Sequence, residues 1–174
     1  MVIPVHGIHP RIHHSAWLAP TATVIGDVEI GEKSSIWFGT VIRGDVFKMR
    51  IGKETNVQDN CVLHGTHGQC GVVLGDRVTI GHQVVLHGCE VKDGALIGMG
   101  SILMDRSVIG RNCLVGAGSL VTEGAVFEEG SLIVGRPAKV KRKLTDTEIK
   151  ELQTSADHYL LYTSWYTGKG GKIP

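Results

Sequence analysis

The sequence predicts an all-β fold: a coil of very short parallel strands, or parallel β-helix, followed by one C-terminal α-helix. Three observations carry this. An aliphatic residue recurs every six positions over most of the chain. Glycine reaches 24 of 174 residues while aromatic residues make up only 5%. One stretch near the C-terminus switches to helical spacing. A sandwich has no reason to hold a six-residue phase for so long, whereas a repeat architecture must.

The frame begins at Leu18 and runs through Val24, Ile30, Ile36 and Ile42. It resumes at Ile51, Val57 and Leu63, then at Leu74, Ile80 and Leu86. A third run joins Val91, Ile97, Leu103, Ile109, Val115, Val121, Phe127 and Ile133. Four residues after each aliphatic stands a small or β-branched residue, as at Ala22, Ser34, Thr40, Thr55, Cys61, Val78 and Ser101. The aliphatic fills the interior and the small residue fits beside it. Glycine often follows the aliphatic, as at Gly31, Gly52, Gly81 and Gly98. It suits turns that need positive φ or close chain approach. Successive coils stack at strand spacing, about 4.8 Å.

Residues 137–144 are expected to leave the coil. Thr145 and Glu148 then form a capping-box pattern. Ile149, Leu152, Ala156, Tyr159 and Leu160 follow at helical spacing. The expected organisation is a metal-binding coil over 12–140, a helix within 145–167 (146 to 165) packed on it, and a flexible tail over 168–174.

Lys+Arg 18 against Asp+Glu 17 leaves a net charge of +1. No basic field exists to attract nucleic acid or a membrane surface. No long apolar run or signal pattern occurs, so a cytoplasmic protein is expected. The four cysteines form no C-x-x-C pair and read as buried small residues rather than disulfides.

The frame slips three times. Ile42 to Ile51 takes nine residues, Leu63 to Leu74 eleven, and Leu86 to Val91 five. Insertions in a regular coil are expected to become outward loops, where function concentrates. The slips adjoin Arg43-Gly44-Asp45, His64 and His87. Counting faces of a triangular coil places Ile42, Leu63 and Leu86 on face one. Ile51 and Leu74 fall on face two, and Val57 and Ile80 on face three. Arg43, His64 and His87 therefore stack on face one, the two histidines about one strand spacing apart. Gln58, Asp59 and His82 belong to face three, where the packed coil separates His82 from His64. A neighbouring subunit would bring a second His82 alongside, giving an intersubunit site repeated in a cyclic trimer. Three imidazoles suit Zn²⁺ with an open fourth position, and Fe²⁺ or Co²⁺ accept the same ligands.

The hexapeptide frame resembles the left-handed parallel β-helix proteins, which are usually trimers. The ordered set Arg43-Gly44-Asp45, Asn56-x-Gln58-Asp59, His64 and His82-x4-His87 resembles the γ-class carbonic anhydrases. Gly135-Arg136-Pro137-Ala138, closing the coil, is similar to the same family. The resemblance implies a homotrimer with a metal at each interface, held by His64 and His87 of one subunit and His82 of another. It implies that metal-bound hydroxide attacks CO₂ to give bicarbonate. Arg43 and Asp45 would form an ion pair that knits subunits, with Asp59 a structural partner of Arg43 across the interface. Gln58 would orient the hydroxide, Asn56 would help position CO₂, and Tyr159 would reach the site from the helix.

The sequence departs from the family pattern at two places. Val46 follows Asp45 where some members have glutamate, and the loop Gly65-Thr66-His67-Gly68-Gln69-Cys70-Gly71 has no carboxylate. Those glutamates are proposed proton shuttles, so the departure implies weak hydration activity unless His67 carries protons instead. Two other functions stay open: an acyltransferase or thioesterase acting on acyl-CoA, and a non-catalytic metal-stabilised trimer.

Overall fold

The period of six is one face of the coil, and three such units make a turn of about 18 residues. The computed structural model describes residues 1–168. Face three stacks seven parallel strands: Trp17–Leu18, Ser35–Ile36, Asn56–Val57, Thr79–Ile80, Leu96–Ile97, Leu114–Val115 and Ser131–Gly135. Face one carries Val62–His64, Val85–His87, Ile102–Leu103 and Leu120–Val121 in the same way. Face two carries Val73–Leu74, Glu90–Val91, Val108–Ile109 and Val126–Phe127. Two long strands, Thr23–Ile30 and Val41–Ile51, run around the corner and join faces one and two into one sheet. The fold is a parallel β-solenoid with one C-terminal helix.

The aliphatic frame is the stacking register itself. Leu18, Ile36, Val57, Ile80, Ile97, Val115 and Ile133 are consecutive partners down face three. Most frame residues are fully buried, each contributing about 1.5–3 kcal/mol. The small residues four places on close the corners. Ser34 Oγ donates to Gly52 O at 2.7 Å, and Thr55 Oγ1 to Gly75 O at 2.8 Å, so inward hydroxyls satisfy the next coil.

The structure changes four expectations. Of the two roles expected of the glycines directly after the aliphatics, close chain approach holds and positive φ does not. A Cβ at Gly98 would lie 2.5 Å from Ala117 N of the next coil, so close stacking is what excludes a side chain. The left-handed residue instead sits three places after the aliphatic, where non-glycine residues such as Asn60, Arg77 and Asn112 adopt it. Second, the nine-residue slip is not a separate loop. It is a bulge inside the strand Val41–Ile51, where the register jumps from Gly26↔Gly44 to Val28↔Met49. Third, the coil begins before residue 12, because Val2–Ile3 pairs with Val24–Ile25 on face one. Fourth, residues 137–144 do not leave the sheet. Ala138–Lys143 folds back antiparallel on Ser131–Gly135 and forms the edge of face three.

The helix, α1, spans Asp146–Tyr166 with Thr145 as N-cap, and both hydrogen bonds of the capping box with Glu148 are present. It packs on face three of its own chain, against Ser35–Ile36 and Thr79–Ile80. Leu152 and Ala156 are its buried residues. Arg77 fastens it at mid-length, donating to Gln153 Oε1 at 2.9 Å and to Asp157 Oδ1 at 2.8 Å. The expected flexible tail lies outside the described residues, apart from Gly168. Among the described residues no helix is long and apolar enough to cross a membrane.

Candidate metal centre

The coil divides the candidate residues into two groups. On face one, His87 pairs with His64 residue for residue in parallel register. Their ring centroids lie 5.4 Å apart. Arg43 occupies the same place one coil earlier, directly after Ile42, which pairs with Leu63. Its Nη1 donates to Asp45 Oδ2 at 2.5 Å, and Asp45 Oδ1 lies 3.1 Å from His64 Nε2. Burial pushes the Asp45 carboxyl upward, but the hydrogen bonds from Arg43 and His64 outweigh it and hold it below the usual carboxylate range. Asp45 is therefore a fixed negative charge between an arginine and a histidine.

The second group lies on face three. Asp59 Oδ2 is 2.8 Å from His82 Nδ1. Gln58 and Asn56 are buried beside them. Asn56 Nδ2 donates to Thr79 Oγ1 at 2.9 Å, and Gln58 Nε2 donates to Asn56 Oδ1 at 3.2 Å. Tyr159 joins this group from the helix, its ring 5.2 Å from that of Trp37. It lines a cleft of about 250 Å³ with Asp59 and His82 of its own chain, among Trp37, Tyr162 and Trp165. Burial, with the Asp59 charge adding to it, pushes the Tyr159 phenol up to about 12, so it stays protonated at neutral pH.

The chain does not assemble the two groups into one cluster. Among the described residues no set of three or more His, Cys, Asp or Glu side chains could hold a metal ion. Asp59, expected to meet Arg43 across an interface, is engaged by His82 within the chain, while Arg43 is engaged by Asp45. The donor chemistry nevertheless suits a divalent ion. His87 hydrogen-bonds a carboxylate at Nδ1, which leaves its Nε2 as the donor, and Asp59 lies 2.8 Å from His82 Nδ1.

Sequence reasoning missed Asp105. Its Oδ1 lies 2.5 Å from His87 Nδ1, and its Oδ2 accepts from Thr66 Oγ1 at 2.5 Å. The signal that could have found it is the length of a coil. Asp105 follows His87 by 18 residues, three hexapeptides and so one full coil. The cysteines are all free; Cys61, Cys89 and Cys113 are buried as expected, but Cys70 is partly exposed in the 65–71 loop.

Comparison with known proteins agrees with this architecture. The pattern described as "Bacterial transferase hexapeptide (six repeats)" matches residues 9–44 and 88–123. A protein of Geobacillus kaustophilus named "Carbonic anhydrase" is 51% identical over 95% of this chain and 91% of its own length. "Gamma carbonic anhydrase 2, mitochondrial" of Arabidopsis thaliana is 41% identical over 94% of this chain, which spans 60% of that longer protein. A solved hexapeptide transferase family protein from Anaplasma phagocytophilum superposes with TM-score 0.90 at 44% identity, covering 95% of this chain and 97% of that one.

Proposed function

Since the chain belongs to the γ-class carbonic anhydrase family of hexapeptide-repeat proteins, we propose that it hydrates CO₂ to bicarbonate at a divalent metal held between subunits of a homotrimer. One observation carries this reading: the register that stacks His64 on His87 also assigns His82 to a different face. Two ligands on one chain and a third elsewhere call for a second copy. Face one supports such a neighbour. Its outward positions Val41, Val62, Val85, Ile102 and Leu120 form an apolar ladder beside the histidine pair, and Val62 is 42% exposed. An apolar stripe of this kind marks a contact surface.

His64 and His87 of one subunit, with His82 of the partner subunit, would hold the ion. Zn²⁺ is the first candidate, with Fe²⁺ or Co²⁺ accepting the same ligands. The ion would supply Lewis acidity and lower the pKa of a bound water. The chain's own groups do the rest. Gln58 is held by Asn56 through its amide nitrogen, so its carbonyl oxygen is left to accept from the attacking water. Asn56 is fixed in turn by Thr79 and borders the space for CO₂. Asp45 keeps His64 oriented and stays ionised beside Arg43. Asp59 orients His82. Tyr159 remains neutral and offers a hydrogen bond from the His82 side. His67, exposed on the 65–71 loop, carries the proton outward in place of the absent glutamates. We place the protein in the cytoplasm, a compartment that its four free cysteines suit.

Metal analysis and stopped-flow CO₂ hydration test the reading together. The expected result is about one metal per chain, hydration that depends on it, and loss of both in His82→Ala. A metal-free wild type that still forms a full-strength trimer would overturn it. The transferase name attached to the repeat pattern and to the Anaplasma protein favours one second reading, acyl-CoA transfer or hydrolysis. A metal-loaded trimer inert toward CO₂ but active on acyl-CoA would select it. Inertness toward both would leave a metal-stabilised assembly module.

A further inference from the structure

We propose that Asp105 is a positioning residue that locks His87 as a ligand and ties it to the 65–71 loop through Thr66. The inference rests on the metal reading above, because it assigns His87 a ligand's role. Each carboxylate oxygen of Asp105 has its own partner: Oδ1 meets His87 Nδ1 at 2.5 Å, and Oδ2 accepts from Thr66 Oγ1 at 2.5 Å. A carboxylate held at both ends cannot swing away from the imidazole. Its side chain is 18% exposed against 41% for His87, so the carboxylate forms the inner wall and the ring the outer one.

The chain makes room for this contact. Gly88 adopts φ +57, and a Cβ there would lie 2.6 Å from Asp105 Oδ1 and 2.5 Å from Cys70 Sγ. The five-residue slip after Leu86 therefore leaves the gap that Asp105 and Cys70 fill. The eleven-residue slip after Leu63 supplies Thr66, in a loop closed on itself by the Thr66↔Cys70 bridge. Two irregularities far apart in sequence thus meet on one carboxylate. A carboxylate accepting from Nδ1–H selects the imidazole tautomer whose Nε2 lone pair is free for a metal. His64 lacks this arrangement, because Asp45 meets it at Nε2.

The test reads the tautomer and the metal separately. In metal-free wild type, nitrogen-15 spectra of labelled histidine should show His87 protonated at Nδ1. Asp105→Asn should mix the tautomers and weaken Zn²⁺ binding, measured by chelator competition, roughly 10–100-fold. Thr66→Val should shift both in the same direction by less, and Thr66→Ser should match wild type, which separates the hydroxyl from loop folding. An unchanged tautomer and unchanged affinity in both Asp105→Asn and Thr66→Val would overturn the proposal. Failure of the wild type to take up Zn²⁺ would instead sink the metal reading, while the tautomer still decides whether Asp105 orients His87.

Discussion

His64 and His87 are strand partners on consecutive coils, with their rings 5.4 Å apart and inclined at 62°. The backbone ladder enforces this spacing, so one chain presents the two rings side by side. Among the described residues no third histidine joins them in a set that could hold a metal ion, and His82 follows Ile80 on face three.

Mixing two inactive variants reads this division directly. His64→Ala and His82→Ala should each lose metal and hydration alone. A mixed cyclic trimer contains a junction where an intact His64/His87 pair meets an intact His82. Co-refolding the two variants should therefore restore part of the metal content and activity. No recovery in verified mixed trimers would place all three ligands within one chain.

His67 carries the proton-transfer assignment. His67→Ala should lower kcat by roughly 10²–10⁴-fold at low buffer concentration if His67 is the principal shuttle. The effect on kcat/KM should be much smaller, and added imidazole buffer should recover kcat. Equal losses in kcat and kcat/KM, without buffer rescue, would remove His67 from the proton path.

Burial pushes the Cys61 and Cys89 thiols up to about 12. Both should resist a maleimide at pH 8 in the native protein, while Cys70 reacts. The linkage has a definite sign. The folded pKa lies above the unfolded value of 9.0, so this contribution to stability is complete below pH 9 and is lost as pH rises from 9 toward 12. Urea midpoints should fall between pH 8 and pH 10.5. Rapid labelling of all four thiols at pH 8 would contradict the assignment.

Two neighbouring glycines should respond oppositely to substitution. Gly98→Ala places a Cβ 2.5 Å from Ala117 N and should cost about 1–3 kcal/mol, because backbone cannot yield as a side chain can. Gly100 has φ +69 and nothing within 4 Å of an added Cβ. Asn60 and Asn112 occupy the equivalent left-handed place in other coils. Gly100→Asn should therefore stay within about 1 kcal/mol of wild type. Urea denaturation of the two variants decides the order.

The coil was legible in the sequence because its period belongs to the backbone. Once Leu18, Ile36 and Val57 share a phase, their stacking follows. The helix was legible because Thr145 and Glu148 satisfy its first turn locally. For the glycine after each aliphatic the sequence left positive φ and close chain approach both open, since the deciding constraint comes from the next coil. Asp105 stayed hidden for a similar reason. Its partner is one coil away, and no local motif marks it. Residues 137–144 read only as leaving the coil, because the pairing that makes Ala138–Lys143 a strand depends on the reversal after Gly135.

That reversal has a consequence for life at high concentration. A stack of parallel strands ends on a row of unpaired backbone groups, which is a template for another chain. Here the outermost strand of face three is Ala138–Lys143, antiparallel to the rest and carrying Lys139, Lys141, Arg142 and Lys143. A second solenoid approaching end to end meets reversed polarity and a cluster of positive charge. On face three, the strand that finishes the sheet is thus a poor template for the next copy.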